Sequence, residues 1–365
     1  VVSLPLIKVT LNEVLITKKN DITIKEISKL SGTSKSTVSR VLSGTGYVST
    51  EKRQAIEKVI QETNYRPNMI ARSLQSKQTK TLAIILPDVS NPYFIGLIEE
   101  IERVSEGYGY TLILINTMST GADKVKASDD PEIKALHTVQ EKQVDGAIII
   151  GGEIDHVKVS SQYLKTLNQL NKHIPIVIIG QKIADCDVIF VQRHINTGMR
   201  LIVQHILSLG YRKIGFLGGK PGVQVTEQRL AEFKRLADMY TNYSDNNVLL
   251  NDYYLKDGYQ GIEQLLDQSD LDAVVAINDR VALGAIRRLH ELGKIVPNDI
   301  AIGSADQFPD SDYYIPSITT IDQHNNSLGK IAVEQLIRSF NSQPLLTVQS
   351  DLPDLVIRES CGENK

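Results

Sequence analysis

Residues 23–49, T-I-K-E-I-S-K-L-S-G-T-S-K-S-T-V-S-R-V-L-S-G-T-G-Y-V-S, parse as two short helices joined by a tight turn. Thr23 with Glu26 three positions on is the pattern of a capping box, in which each side chain satisfies the other's backbone N–H. Ile24, Ile27 and Leu30 recur at three-residue spacing and predict one inward stripe on the first helix. Gly32 stands where a helix ends in a left-handed residue. Ser34 is placed to cap the second helix, on which Val38, Val41 and Leu42 are expected to face inward. Lys35, Ser36, Thr37, Ser39 and Arg40 are left on the outside. Hydroxyls and cations at the N-terminal end of such a helix are what a helix-turn-helix offers to a DNA major groove. The alternative is a plain helical hairpin with a polar face.

Working outward, charge favours the first reading. The chain carries −3 overall, yet residues 1–80 hold 14 Lys and Arg against 6 Asp and Glu. That makes the head +8 and the remainder −11, so a polyanion partner is expected for the head alone. Residues 1–20 lack a starting Met and show no charged segment ahead of an apolar run. They are expected to be a poorly ordered leader, from an upstream extension or a misassigned start, and not a secretion signal. Cys186 and Cys361 share no metal-like spacing. No cofactor, metal or membrane association is expected, and the setting is a reducing cytoplasm.

Ser49 or Thr50 is placed to cap a third helix, with Ala55, Ile56, Val59 and Ile60 turned inward and a stop at Asn64-Tyr65-Arg66-Pro67. The head is thus expected over 21–67. Asn68 caps a segment of about two turns over 68–78, too short to be stable alone and so suited to a switch. From residue 79 short apolar runs alternate with amphipathic stretches. Strands are expected at Leu82–Leu86, Thr111–Ile115, Gly146–Ile150, Ile176–Ile179, Val188–Val191, Lys213–Leu217, Asp272–Ile277 and Ile300–Gly303. Helices are expected at Phe94–Tyr108, Pro131–Lys142, Gly198–Leu209, Gln228–Met239, Asp257–Leu266 and Val281–Leu292. This α/β alternation implies parallel sheets covered on both faces. The length favours two similar lobes, with a ligand crevice outside the carboxyl ends of the strands. No nucleophile elbow, zinc-binding helix motif or phosphate loop occurs.

The residues quoted above, with Asn64-Tyr-Arg-Pro-Asn-Met-Ile-Ala-Arg-Ser-Leu74, closely resemble the head and hinge of the lactose repressor family of bacterial transcription regulators. Pro87-Asp-Val-Ser-Asn-Pro-Tyr-Phe94, His205-Ile-Leu-Ser-Leu-Gly-Tyr-Arg-Lys-Ile214, Asn278-Asp-Arg-Val-Ala-Leu-Gly-Ala285 and Ile315-Pro-Ser-Ile-Thr-Thr-Ile321 extend the resemblance over roughly 21–360. It implies a helix-turn-helix head, a hinge helix and a two-lobed, periplasmic-binding-protein-like core over 79–365. In that core the chain crosses between lobes near 190, 320 and 350. It also implies a homodimer on a pseudo-palindromic double-stranded operator, and a repressor of carbohydrate-utilisation genes.

Carried over by position, Lys35, Ser36 and Arg40 are base-reading residues, the cations having the reach for guanine O6 and N7. Ser34, Thr37, Ser39, Ser49 and Tyr65 match phosphate contacts. Asn68, Ala71, Arg72 and Leu74 belong to the hinge contact, with Leu74 as a minor-groove wedge and Ala71 small enough to permit close approach. For a small effector, a sugar or sugar phosphate, Arg229 is the gripping arginine. Tyr93, Phe94 and Tyr253 are expected as flat walls, and Asn278, Asp279, Asp306, Gln181 and Gln323 as polar contacts. The chain departs from the family where Ala305 replaces an aspartate, Gln181 an arginine, His194-Ile195 an Asp-Asn pair and Glu232 a glycine. Induction by the effector is the expected mode and co-repression the alternative. A transporter's solute-binding protein and an enzyme on the same scaffold are the readings from other classes.

Overall fold

Thr23 and Glu26 form the reciprocal cap: Thr23 N–H donates to Glu26 Oε2 at 2.7 Å and Thr23 Oγ1 accepts from Glu26 N–H at 3.4 Å. That starts α1, Ile24–Leu30, in a computed structural model that describes residues 22–44, 46–65, 78–120, 130–346 and 350–362. The chain divides into two units, 1–77 and 78–365. In the first, α2 is Lys35–Ser43 and α3 is Thr50–Thr63. Ile27, Val38, Ile56 and Val59 are buried together, with Val41, Leu42, Ile60 and Tyr65 packed around them. Leu30 corrects the stripe expected for α1: it is 63% exposed. A seven-residue helix makes about two turns, of which only Ile27 is fully buried, and its last residue passes beyond the shared core. Asn64, left-handed at φ 48°, closes α3 before the proline is reached. The leader and the hinge segment, with Asn68, Ala71, Arg72 and Leu74, lie outside the described residues.

Among the described residues the second unit contains two parallel sheets and one two-stranded antiparallel pair. In the first lobe β1 (Thr81–Leu86), β2 (Thr111–Asn116), β3 (Gly146–Ile150), β4 (Ile176–Ile179) and β5 (Ile189–Val191) run parallel in the order β2-β1-β3-β4-β5. Leu82 to Leu86 and all of β3 and β4 are buried, as a sheet covered on both faces requires. The covering helices are α4 (Pro92–Gly107), α5 (Pro131–Lys142) and α6 (Ser161–Asn171). Asn91 starts α4 by accepting from Tyr93 N–H, with Pro92 at the first position, where its missing N–H is no loss.

The second lobe holds α7 (Ile195–Ser208), β6 (Ile214–Leu217), α8 (Gln224–Tyr240), β7 (Val248–Leu249), α9 (Leu255–Gln268), β8 (Ala273–Ala276), α10 (Asp279–Glu291) and β9 (Ala301–Ser304). Its parallel sheet has the order β7-β6-β8-β9. Helices α9 and α10 touch backbone to backbone: a Cβ on Gly258 would overlap the Val281 carbonyl, and one on Gly284 the Leu255 carbonyl.

Three passages join the lobes side by side. The chain leaves β5 and enters α7. Then β10 (Thr320–Asp322) leads to α11 (Asn325–Phe340), whose Leu328, Ile331, Ala332 and Leu336 pack into the first lobe against Leu82, Leu97 and Ile148. Finally β11 (Asp354–Val356) returns antiparallel to β10, with Ile321 opposite Leu355. Ser350 Oγ donates to the Gln192 carbonyl at 2.6 Å, and the His194 ring lies 3.1 Å from the Ser350 carbonyl. Helices α6 and α11 and the two-residue β7 are elements that the apolar pattern did not mark. In α6 only Tyr163, Leu167 and Leu170 are buried, in an otherwise polar run.

Candidate effector cleft and DNA-reading helix

The exposed face of α2 follows from its cap. Ser34 Oγ accepts from Thr37 N–H at 3.2 Å and also meets the Ser36 and Thr37 hydroxyls at 2.8 Å each. The first turn holds no acid, so the positive end of the helix dipole is left to an outside anion. Lys35, Ser36 and Arg40 are exposed and share the surface with Ser34, while Thr37 and Ser39 are half-buried. Ser49 stands at the N-cap of α3. Tyr65 is half-buried against the core of the head, and burial raises its phenol pKa.

In the second unit a cleft of about 540 Å³ opens where the carboxyl ends of both sheets meet. The first lobe supplies Pro87, Asn91, Tyr93 and Phe94 after β1, Ser119 and Thr120 after β2, Glu153, Asp155 and His156 after β3, and Arg193 after β5. The second supplies Lys220 and Arg229 after β6, Asp252, Tyr253 and Tyr254 after β7, Asn278 after β8, and Asp306 and Phe308 after β9. The loops after β1, β2, β3, β5, β6, β7, β8 and β9 thus line the cleft, for the reason that a parallel sheet gathers its carboxyl termini on one edge.

The floor is a buried ion triad. Arg229 is 2% exposed, with Nη1 donating to the Ile277 carbonyl at 2.7 Å and Nη2 lying 3.0 Å from Asp306 Oδ2. Arg193, from the opposite lobe, donates from Nη2 to the same oxygen at 3.0 Å. Burial pulls the Arg229 pKa down while Asp306 opposes it. Burial also works against Arg193, but Tyr93, Asp306 and Asp155 hold it above the ordinary arginine value. Arg193 Nε, Arg229 Nε and Asp306 Oδ1 are buried and make no hydrogen bond among the described residues. Such atoms are costly to leave alone and suit a ligand that both donates and accepts. Asp155, beside Arg193, has its carboxyl pushed up to about 6 by burial, against the pull of Arg193 and His156.

The lobes touch across the cleft at two rims. On one, Tyr254 O–H donates to Asp88 Oδ2 at 3.0 Å and Arg280 Nη1 to the Ser90 carbonyl at 3.4 Å. On the other, Val157 N–H donates to the Gly222 carbonyl at 2.9 Å and Gln224 Nε2 to the His156 carbonyl at 3.2 Å.

Of the residues carried over by position, Tyr93, Phe94, Arg229, Tyr253, Asn278 and Asp306 are brought to the cleft. Tyr253 O–H is tied to Thr226 Oγ1 at 2.5 Å, and Asn278 Nδ2 donates to the Tyr253 carbonyl at 3.1 Å. Tyr93 does not offer a bare face, because the Arg193 guanidinium lies 4.5 Å over its ring.

Three expected contacts are corrected. Asp279 is 1% exposed and turned away, accepting from Phe308 N–H at 3.1 Å, from Thr320 Oγ1 at 2.7 Å and from Ser311 Oγ. As the first residue of α10 its side chain serves the loop beneath the cleft. Gln323 is held in the second passage, where Nε2 donates to the Ala305 carbonyl at 3.2 Å and packs over Gly198. Gln181 lies in a small recess beside the cleft and donates to the Arg193 carbonyl at 3.1 Å. The departures His194 and Glu232 lie elsewhere too: Glu232 is ion-paired to Arg200 at 2.9 Å and Arg235 at 2.8 Å. Arg193 and Asp155 were missed. Arg193 follows a short strand and precedes the altered His194-Ile195 pair, and neither residue sits in a motif that marks it.

Comparison with known proteins covers both units. Residues 23–68 match the family of bacterial regulatory proteins, lacI family, and residues 203–361 match a periplasmic binding protein-like domain. The ribose operon repressor of Halalkalibacterium halodurans is 32% identical over 346 residues, 94% of this chain and 98% of that one. The transcriptional repressor PurR of Haemophilus influenzae is 32% identical, over 93% of this chain and 98% of that one. The lac repressor dimer bound to operator and an anti-inducer shares the fold at a TM-score of 0.79, with 24% identity, 93% of this chain and 99% of that one covered. A regulator of the same family from Enterococcus faecium with bound ribose superposes at 0.64, with 26% identity, covering 77% of this chain and 98% of that one.

Proposed function

The chain belongs to the lacI family of bacterial regulatory proteins and is a sequence-specific DNA-binding transcription regulator rather than an enzyme; from that premise we propose that it represses carbohydrate-utilisation genes and leaves its operator when a small sugar, free or phosphorylated, fills the cleft. The observation that carries the effector reading is the buried Arg193–Asp306–Arg229 triad, with unsatisfied donors and an unsatisfied acceptor in a crevice flanked by Phe94, Tyr253 and Phe308. A sugar presents hydroxyls that donate and accept, on a ring that packs against aromatic side chains. A ribose-bound relative of this family and a ribose operon repressor support that class of ligand.

On the DNA side, a homodimer would set two heads on the half-sites of a pseudo-palindrome. Lys35 and Arg40 read guanines, Ser36 contacts either base type, and Ser34, Thr37, Ser39, Ser49 and Tyr65 hold phosphates. Asn68, Ala71, Arg72 and Leu74 make the hinge contact. The effector acts by binding one arrangement of the lobes more tightly than the other; without that difference it shifts nothing. The rim contacts Asp88–Tyr254 and Val157–Gly222 supply discrete points at which closure is felt.

A thermal-shift screen of the full chain against pentoses, hexoses, disaccharides, their phosphates and nucleobases tests the reading, with Arg229→Ala as control. Stabilisation should grow as RT ln(1 + [L]/Kd) for a sugar and vanish in the control. The stabilising sugar should then lower operator affinity in an anisotropy titration. A nucleobase as the only stabiliser removes the sugar reading, and a sugar that raises operator affinity reverses the sign of the switch.

A further inference from the structure

The floor of the cleft bears on the charge of its ligand. We propose that Asp306, ion-paired to the Arg193 guanidinium, and Asp155, which lines the same recess as Arg193, make the cleft select uncharged polyols and exclude phosphorylated or carboxylated sugars. This rests on the sugar reading and narrows it.

Arg193 is central to the argument. It comes from the first passage between lobes, its carbonyl is held by Gln181 Nε2, and its guanidinium meets Asp306 from the other lobe. Asp155 lines both the cleft and the small recess that Arg193 shares. The floor thus holds two guanidiniums, Arg193 and Arg229, and two carboxylates, Asp306 paired with both and Asp155 in the recess beside Arg193, so an ionised floor is neutral.

The rest of the lining tips the balance. Asp130, Glu132, Glu153, Asp155, Asp252 and Asp306 put six carboxyl groups around the cleft, against the three basic side chains Lys220, Arg193 and Arg229. His156 is the remaining titratable base at the rim. A phosphate or carboxylate entering here meets net negative charge in a setting of low dielectric. The hydrogen-bond inventory agrees. Arg193 Nε and Arg229 Nε need acceptors, whereas Asp306 Oδ1 needs a donor. Adjacent hydroxyls satisfy both kinds. A phosphate dianion only accepts, so a phosphate placed against Asp306 Oδ1 cannot pair that oxygen and adds repulsion.

The test uses the full chain at pH 7.5 and matched probes: D-ribose with D-ribose 5-phosphate, D-glucose with D-glucose 6-phosphate, and D-glucose with D-glucuronate. Dissociation constants come from titration calorimetry on wild type, Asp155→Asn and, should that variant fold poorly, Asp155→Ser. The uncharged member that binds wild type should do so at least about 100-fold more tightly than its charged partner, a difference of about 2.7 kcal/mol. In the Asp155 variant that ratio should narrow about tenfold, chiefly because the charged partner gains affinity. A charged partner that binds wild type as well as or better than the free sugar overturns the proposal and leaves the sugar reading intact. An unchanged ratio in a folded Asp155 variant removes Asp155 from the discrimination and overturns the proposal as stated. If no sugar of either kind binds while a nucleobase does, the sugar reading falls and this inference with it.

Discussion

Helix α2 and the floor of the cleft are the two surfaces proposed for recognition, and they are built in opposite ways. On α2 the proposed base-reading groups are neighbours in a nine-residue helix, and Lys35, Ser36 and Arg40 are exposed. Keeping them there demands little beyond Ser34 as a cap and Val38 as an anchor, because surface charges stay hydrated. On the floor the groups come from residues 155, 193, 229 and 306, and the central carboxylate and Arg229 are 5% and 2% exposed. Buried charges survive only in the company of opposite ones, so each member fixes the others. A change on α2 should therefore act locally, and one on the floor should spread into stability.

Arg229→Ala tests that contrast hardest. It removes the donor to the Ile277 carbonyl and one of the two cations on Asp306. It should destabilise the second unit by about 3–5 kcal/mol in urea denaturation and abolish effector binding. Operator affinity in the absence of effector should stay near wild type. An Arg229→Ala protein that melts normally would break the comparison.

Asp279 extends it beyond the ligand-touching groups. Asp279→Ala strips the acceptor from Phe308 N–H, Ser311 and Thr320, and should destabilise by about 2–3 kcal/mol although no ligand is touched. Its pH signature can be isolated in Asp279→Asn. Burial pushes the folded carboxyl from 3.8 up to about 6, so its contribution is full below the ordinary carboxylate range and is lost as pH rises through 6. Wild type should therefore lose ground to Asp279→Asn between about pH 4 and 6 and hold a constant difference above that range. A difference independent of pH would refute the buried-carboxyl assignment.

Lys35→Ala and Arg40→Ala, made singly, should each weaken operator binding by about 1–3 kcal/mol and relax base preference at one position per half-site. Effector affinity and the melting of the second unit should not move. Tyr254→Phe removes one rim hydrogen bond to Asp88 and should alter effector affinity by about 1 kcal/mol or less. Leu30→Ser should change stability by less than about 0.5 kcal/mol, since Leu30 is exposed.

Much of the fold was legible because its signals are local. The strand runs from Leu82 to Ile302 coincide with the observed sheets to within a residue or two at their ends. Helix starts were set two to four residues too late at α7, α8 and α9, although α7 opens on the buried Ile195 and α9 on Leu255. Helix α11 was missed although sixteen residues long, because its buried face matches a lobe reached only by crossing back. Of the cleft, the residues matching family positions mostly reached it, Arg229 and Asp306 above all. Asp279 and Gln323 did not, because a polar side chain at a strand's end can turn toward its own loop as readily as toward a ligand.

The sequence by itself determined the helix-turn-helix, its capping box and the alternation that makes two parallel α/β lobes, for these depend on spacing within a few turns of chain. It also determined which end of α2 carries the donors. Only the tertiary structure decided that Arg193 and Asp155 belong to the floor, that Asp306 is shared by guanidiniums from two lobes, and that Gln181 supports Arg193 in place of a ligand. The reason is electrostatic and geometric. A buried charge takes its role from partners that lie many residues away, and which partners it meets is settled where the sheet edges converge.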